Sequence, residues 1–514
     1  MSASPDYYTE DKEKAFGSIE DELHRVAYAE EAPDRVIASR FGVLGPLLSR
    51  LFAIGVEARG IERIPEDQRE SKNAWNKSVN AVLTTIPIGA LGQSAFTLSF
   101  GHAVATIFCF GALGGIATAF IATLGPITGL RTMVITRFSS GYVGGTIYSV
   151  LNILTQLGFS TTAVILGGQT LANINPGTLP LVVGIIIIGV CCLIPCFIGY
   201  DMVHVYERYA WIIASVIMLF LWGLGGKAGY DINAQKSVED TGRALPADIL
   251  SFGGIVFGSF SGWAPVAADY NCRLPADTPP MRVFLLTFFG LFIPICFVQI
   301  LGAALMTITD PAYILAYADG STGGLIAQVS PLGVTLANSS LSFSHFLSAN
   351  NIPNTYSTGL SIQALGRPFA IIPRFFWVFI AFVAYTVAGV VGREHFNAIL
   401  SNFLSILSYW TAFFIVIVAE EHFIFRRKNG PLGGYNLDDY DTPSKLPLGI
   451  AGILAMCFGI AGAVVGMSEV WYTGPLGKMA GAAYGADLGF ELAAAFSAVS
   501  YLPLRALEIK LIGR

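Results

Sequence analysis

The stretch Ser348-Ala349-Asn350-Asn351-Ile352-Pro353-Asn354-Thr355-Tyr356-Ser357 sets three primary amides and a proline inside an otherwise apolar run. A terminal amide offers two donors and a two-lone-pair acceptor in one plane, which suits the edge of a lactam or an amidine. Polar side chains at membrane depth are costly unless satisfied, so Asn354 and Asn350 are candidate ligand contacts. Helix-to-helix hydrogen bonding is the alternative for Asn350 and Asn351. A second concentration of chemistry is Gly258-Ser259-Phe260-Ser261-Gly262-Trp263-Ala264-Pro265. Its indole could stack on a planar solute, a contact worth about 0.5–1.5 kcal/mol beyond area burial; anchoring at the membrane interface is the competing role. The sequence has no His-Glu-x-x-His zinc pattern and no phosphate loop ending in Gly-Lys-Ser/Thr, and its six histidines are scattered. The chain therefore reads as a protein that binds or carries a small molecule, not as an enzyme, with no metal and no cofactor expected.

The elements that must position these residues are membrane helices. Of 514 residues, 54% are hydrophobic and 13% charged, about half the charge a soluble surface needs, and the mean hydropathy is +0.61. A net charge of −5, with no basic tract, argues against nucleic acid as a partner. Most of the seven cysteines lie in apolar runs and read as small hydrophobes. Runs near the 20 residues needed to cross a bilayer fall at about 78–100, 103–124, 142–168, 180–198, 209–225 and 249–266. A second set follows at 282–306, 346–365, 371–391, 396–419, 447–467 and 485–505. The first 77 residues hold no short apolar core with a cleavage site, so the first span is expected to target the chain. With a cytoplasmic N-terminus, fourteen Lys and Arg fall in inside loops and the C-terminus against five outside, as the positive-inside rule requires.

Interrupted helices at matching places in two halves mark the sites of inverted-repeat transporters, because unwound backbone is tolerated at membrane depth only where it lines a cavity. Span 1 carries Pro87 and Gly89, and span 6 carries Gly258 and Gly262. Each opens a five-helix half. The expected fold is all-α, with about twelve spans and discontinuous helices 1 and 6. The expected segments are a cytoplasmic tail (1–77), a first repeat (78–225), an extracellular loop (226–248), a second repeat (249–419), a cytoplasmic loop (420–446), helices 11 and 12 (447–505) and a cytoplasmic C-terminus (506–514). Packing glycines are the alternative to helix breaks. Helix centres largely lack ionisable residues, which predicts an uncharged cargo. Glu207 is a proton-relay candidate, since burial raises a carboxyl toward physiological pH; a salt bridge to Arg208 or Arg131 is its rival role. Oligomeric state is not legible.

Ordered motifs carry a resemblance over almost the whole chain. They are Gly55-Val56-Glu57-Ala58-Arg59-Gly60-Ile61-Glu62-Arg63-Ile64-Pro65, Gly125-Pro126-Ile127-Thr128-Gly129-Leu130-Arg131-Thr132-Met133, Val203-His204-Val205-Tyr206-Glu207-Arg208-Tyr209, Ala268-Asp269-Tyr270 and Asn351-Ile352-Pro353-Asn354. In these the chain resembles the fungal purine-cytosine permease branch of the nucleobase:cation symporter family. The resemblance implies a LeuT-like five-plus-five fold, alternating access and proton-coupled uptake of a purine base or cytosine at the plasma membrane. It also implies that Trp263 and an aromatic of helix 3 sandwich the base, that Asn354, beside Pro353, hydrogen-bonds it, and that Thr85 adds a small polar group. Helix 3 departs from the family's Gly-Trp followed by Asn or Gln, having Gly158-Phe159 and then Ala163. Phe159 can still stack, whereas Ala163 removes an amide worth about 1 kcal/mol net. A ring such as pyridoxine, or a specialised metabolite, is the alternative cargo, and a non-transporting nutrient sensor the alternative role.

Overall fold

The computed structural model describes residues 60–69, 85–174, 177–198, 200–329, 351–481 and 485–514, and over 200–211 the backbone alone. Twelve of its helices overlap the predicted spans in part. They are α1 (Ile86–Ser94), α2 (Phe100–Thr128), α3 (Arg137–Ile174), α4 (Leu181–Ile198), α5 (Tyr200–Ala228) and α6 (Ala244–Ser261), then α7 (Pro280–Leu305), α8 (Asn351–Ala364), α9 (Arg374–Gly392), α10 (Phe396–Glu420), α11 (Ile450–Gly466) and α12 (Gly489–Ile512). Six stretches are long and apolar enough to cross a bilayer. Large apolar side chains such as Leu154, Phe220 and Val391 stand exposed on the outer faces of α3, α5 and α9, where lipid tails and not water are their natural solvent. The chain is a polytopic integral membrane protein.

Span 6 is interrupted for two residues, Gly262 and Trp263, both of which keep right-handed helical backbone angles. Pro265 has no N–H for the Ser261 carbonyl, and its ring would clash with that carbonyl. α6 therefore stops at Ser261, turns through Gly262 and Trp263, and resumes as a short helix, Ala264–Asn271. Trp263 N–H bonds instead to the Phe260 carbonyl at 3.2 Å.

Of the other expected breaks, Gly89 and Gly258 are not breaks, and a break at Pro87 turns on residues outside the described ones. Pro87 sits in the first turn of α1, where a missing N–H costs nothing; the chain before Thr85 lies outside the described residues. Gly89 and Gly258 lie within unbroken helical turns. A β-carbon at Gly89 would overlap the Gln299 carbonyl oxygen of α7, and one at Gly258 the Leu404 carbonyl oxygen of α10. Both glycines are there for close helix approach, the role small residues usually have in lipid. The first helix is also shorter than 78–100: it ends at Ser94, and a turn with Thr97 at φ 48° leads to α2. The loop expected from 307 contains a helix, Pro311–Val329, bent at Ser321. Asp310, Asp319 and the Gly320-Ser321-Thr322-Gly323-Gly324 run keep it below the apolar length of a span.

Three of the motifs that carry the resemblance meet at one end of the bundle. Arg131 donates to the Asp269 carbonyl at 2.9 Å, and the Asp269 carboxylate accepts from Thr132 N–H at 2.7 Å. Ile64 N–H reaches the Gly129 carbonyl at 3.0 Å. The segment 60–69 thus straps the α2–α3 connection, which in turn grips the Ala264–Asn271 helix.

Candidate functional site

α8 packs against α3, α4 and α9, and its register with α3 is fixed by side-chain bonds. Thr146 Oγ1 donates to the Leu365 carbonyl at 3.2 Å, and Asn152 Nδ2 donates to Ser361 Oγ at 2.8 Å. Ascending α3 therefore means descending α8, an antiparallel pairing. Seven residues along a helix return to nearly the same face, about 10 Å away. From the Asn152–Ser361 pair, that step leads to Phe159 on α3 and to Asn354 on α8. The step puts the two residues at about the same depth along the helix pair.

The break in α6 comes to the same place. A β-carbon at Gly262 would lie 2.9 Å from the Phe159 ring and 2.8 Å from Leu407 of α10, so the missing side chain lets the ring lie over the broken backbone. Phe403 meets Phe159 edge-on, centroids 5.1 Å apart, and holds its orientation. Trp263 is 8% exposed and belongs to the core; its indole is not turned to lipid.

Asn354 is 2% exposed. Its backbone carbonyl accepts from Thr358 at 2.9 Å, yet its Nδ2 has no acceptor among the described residues. A buried, unsatisfied amide costs about 1–3 kcal/mol, a cost that a ligand accepting from it would remove. Asn351 Nδ2 likewise has no acceptor among the described residues, while its Oδ1 accepts from Thr355 Oγ1 within α8 at 3.3 Å. Ala163 is buried one turn beyond Phe159.

A family model described as a permease for cytosine/purines, uracil, thiamine and allantoin matches residues 74–484. The chain belongs to this permease family. The purine-cytosine permease fcyB of Emericella nidulans is 38% identical over 484 residues, covering 91% of this chain and 92% of that protein. The vitamin B6 transporter TPN1 of Saccharomyces cerevisiae is 30% identical, with 91% and 90% covered. Among solved structures, the inward-facing conformation of Mhp1 superposes with TM-score 0.62 at 16% identity, over 88% of this chain and 96% of that one. Mhp1 is a nucleobase-cation-symport-1 family transporter, and the likeness shows a shared fold. The protein is a permease, not an enzyme.

In this permease Thr85 and Pro353 are buried, Thr85 at the start of α1, which packs on α6, α7 and α10. Asn350 and the Glu207 side chain lie outside the described residues.

Sequence reasoning missed a second buried polar cluster. The hairpin Ser468–Glu469/Tyr472–Thr473 and the residue before α12 bring Glu469 and Asp487 onto the Tyr409 hydroxyl of α10, Glu469 at 3.1 Å and Asp487 closer still. One hydroxyl hydrogen cannot serve both carboxyl groups. Both contacts are satisfied when Glu469 is protonated and donates to the phenolic oxygen while Tyr409 donates to Asp487. Burial, then the Asp487 charge, pushes Glu469 up to about 8, and burial pushes Asp487 up to about 6. A carboxyl raised above its ordinary 4.5 binds its proton more tightly folded than unfolded. Its stabilisation is complete below about 4.5 and is lost as pH rises through about 8. The unfolding midpoint of the purified protein is expected to fall from pH 5 to pH 9, with Glu469→Gln making that slope shallower. An identical slope in the variant would contradict the assignment.

Proposed function

We propose that this permease is a secondary active transporter that moves a small, uncharged, planar heterocycle, a purine base or cytosine first, by alternating access coupled to protons. What supports the reading is the buried amide of Asn354, whose Nδ2 has no acceptor among the described residues, together with the Phe159 ring lying against Gly262, next in the chain to the buried Trp263. Thr85, Asn350 and Pro353 complete the site. Two faces of π-surface and one amide edge suit a flat solute with lactam or amidine groups and no formal charge. The purine-cytosine permeases among its relatives support that cargo, and the hydantoin bound to Mhp1 is a ring of the same size class.

The reading includes twelve spans in a five-plus-five repeat with two further helices, cytoplasmic termini, residence in the plasma membrane and Glu207 as a proton relay. Transport by Glu207→Gln with unchanged pH dependence would remove the relay. A second cargo is favoured by Ala163: where an amide is absent the base edge loses a partner, and a relative of 30% identity is a vitamin B6 transporter. A competition panel decides between them. In cells lacking their own permeases, cytosine, adenine and hypoxanthine should displace labelled substrate, with pyridoxine and thiamine weaker; displacement by pyridoxine alone would select the second cargo.

A further inference from the structure

The end of α10 is far from the amide-lined site and is chemically distinct. There the helix runs through one π turn, Glu421–Phe425, into Arg426-Arg427-Lys428. A cavity of about 370 Å³ opens between this turn, Ile127 near the end of α2, and the returning chain at Gly433–Leu437. That volume is in the range of small-ligand pockets.

Its walls are of two kinds. Ile127, Phe423 and Leu437 are apolar; Arg426, Arg427 and Lys428 are cationic. Arg426 is already committed, bonding Glu421 at 2.8 Å and the Gly434 and Phe138 carbonyls, with its guanidinium over the Phe138 and Tyr435 rings. Arg427 and Lys428 are exposed and make no ion pair with the described residues. The neighbouring carboxylates are matched elsewhere: Glu421 and Glu508 with Arg505, Asp438 with Arg63 and Asp439 with Lys445. Among the described residues, two positive charges are therefore left uncompensated at the mouth of a cavity. Beside them Phe423 is 58% and Ile424 40% exposed, continuing the outward apolar surface of α10. A cationic pocket flanked by an apolar ledge at the boundary of the bilayer matches a phosphate carried on an acyl anchor.

We propose that this pocket binds the phosphate headgroup of an anionic phospholipid, with Arg427 and Lys428 as its charge partners and Phe423 against the acyl chain. Occupancy would brace the end of α10, the helix that packs on α3 and α6 at the transport site. The assignment to the inner leaflet rests on the orientation proposed above; the binding itself does not.

The test is thermal unfolding of the purified full-length protein in neutral detergent, titrated with phosphatidylserine, phosphatidylcholine or inorganic phosphate. Phosphatidylserine should raise the unfolding midpoint saturably and phosphatidylcholine should not. In the double variant Arg427→Gln/Lys428→Gln the half-saturating concentration should rise roughly 10- to 30-fold. Lys510→Gln, which removes an exposed cation of α12, should change nothing. An undiminished response in the double variant, or an equal one to phosphatidylcholine, would overturn the site. A full response to inorganic phosphate alone would overturn the lipid as its source. Binding is read without transport, so failure here would leave the proposed cargo untouched, and failure of the cargo would leave this site untouched.

Discussion

Trp263→Ala should lower uptake by roughly 30- to 100-fold, and Asn354→Ala by roughly tenfold or more, while both proteins still reach the membrane in normal amount. A tryptophan contributes about 150–250 Å² of contact. If half of it covers the cargo, removing it forfeits about 2–3 kcal/mol at about 25 cal/mol per Å², and each 1.4 kcal/mol is tenfold in affinity. Asn354 offers a donor that no described residue uses. Deleting it leaves a polar edge of the cargo unpaired, at about 1–3 kcal/mol, and spares the Thr358 bond, which is to the backbone carbonyl. Initial-rate uptake of labelled base, normalised to surface protein, reads the effect. Normal uptake in either variant would move the site elsewhere.

The second large effect concerns stability. Glu421 is 1% exposed and accepts four bonds: from Arg426 at 2.8 Å, from two nitrogens of Arg505 at 2.9 and 3.0 Å, and from the Tyr501 hydroxyl at 3.0 Å. Arg505 is fully buried and also bonds Glu508, which caps the first backbone N–H groups of α11. This network joins α10, α11 and α12. Glu421→Ala leaves two buried or half-buried guanidiniums short of a carboxylate, and breaking one side of a buried pair costs about 3–5 kcal/mol. Most of the variant should be lost before the cell surface, and what is purified should unfold at a markedly lower temperature. Near-normal surface abundance would show that the network is dispensable. The contrast matters: the site variants lose transport and keep the protein, whereas this one loses the protein.

These two predictions also mark what sequence could and could not show. Trp263 and Asn354 were legible because each sits beside a local irregularity, Pro265 for one and a run of amides for the other, in stretches that should be uniformly apolar. The interruption after Ser261 was legible in the Gly258 and Gly262 pair, and proline chemistry at Pro265 accounts for it. Gly89 and Gly258 misled because a glycine's local freedom is visible in the sequence and its packing partner is not; Gln299 and Leu404 are over a hundred residues away in the chain. Glu421 and Arg505 were countable only as inside-loop charges, since the 84 residues between them hide the pairing. The Tyr409–Glu469–Asp487 cluster was hidden likewise, with Glu469 in the connection after span 11 and Asp487 at the start of the span expected at 485–505.

Counterflow tests the central claim most directly. Proteoliposomes loaded with unlabelled cytosine or hypoxanthine and diluted into labelled base should accumulate label transiently above equilibrium, and Trp263→Ala should abolish the overshoot. Binding of the base without any overshoot would contradict transport and leave a sensor that recognises its ligand but never carries it.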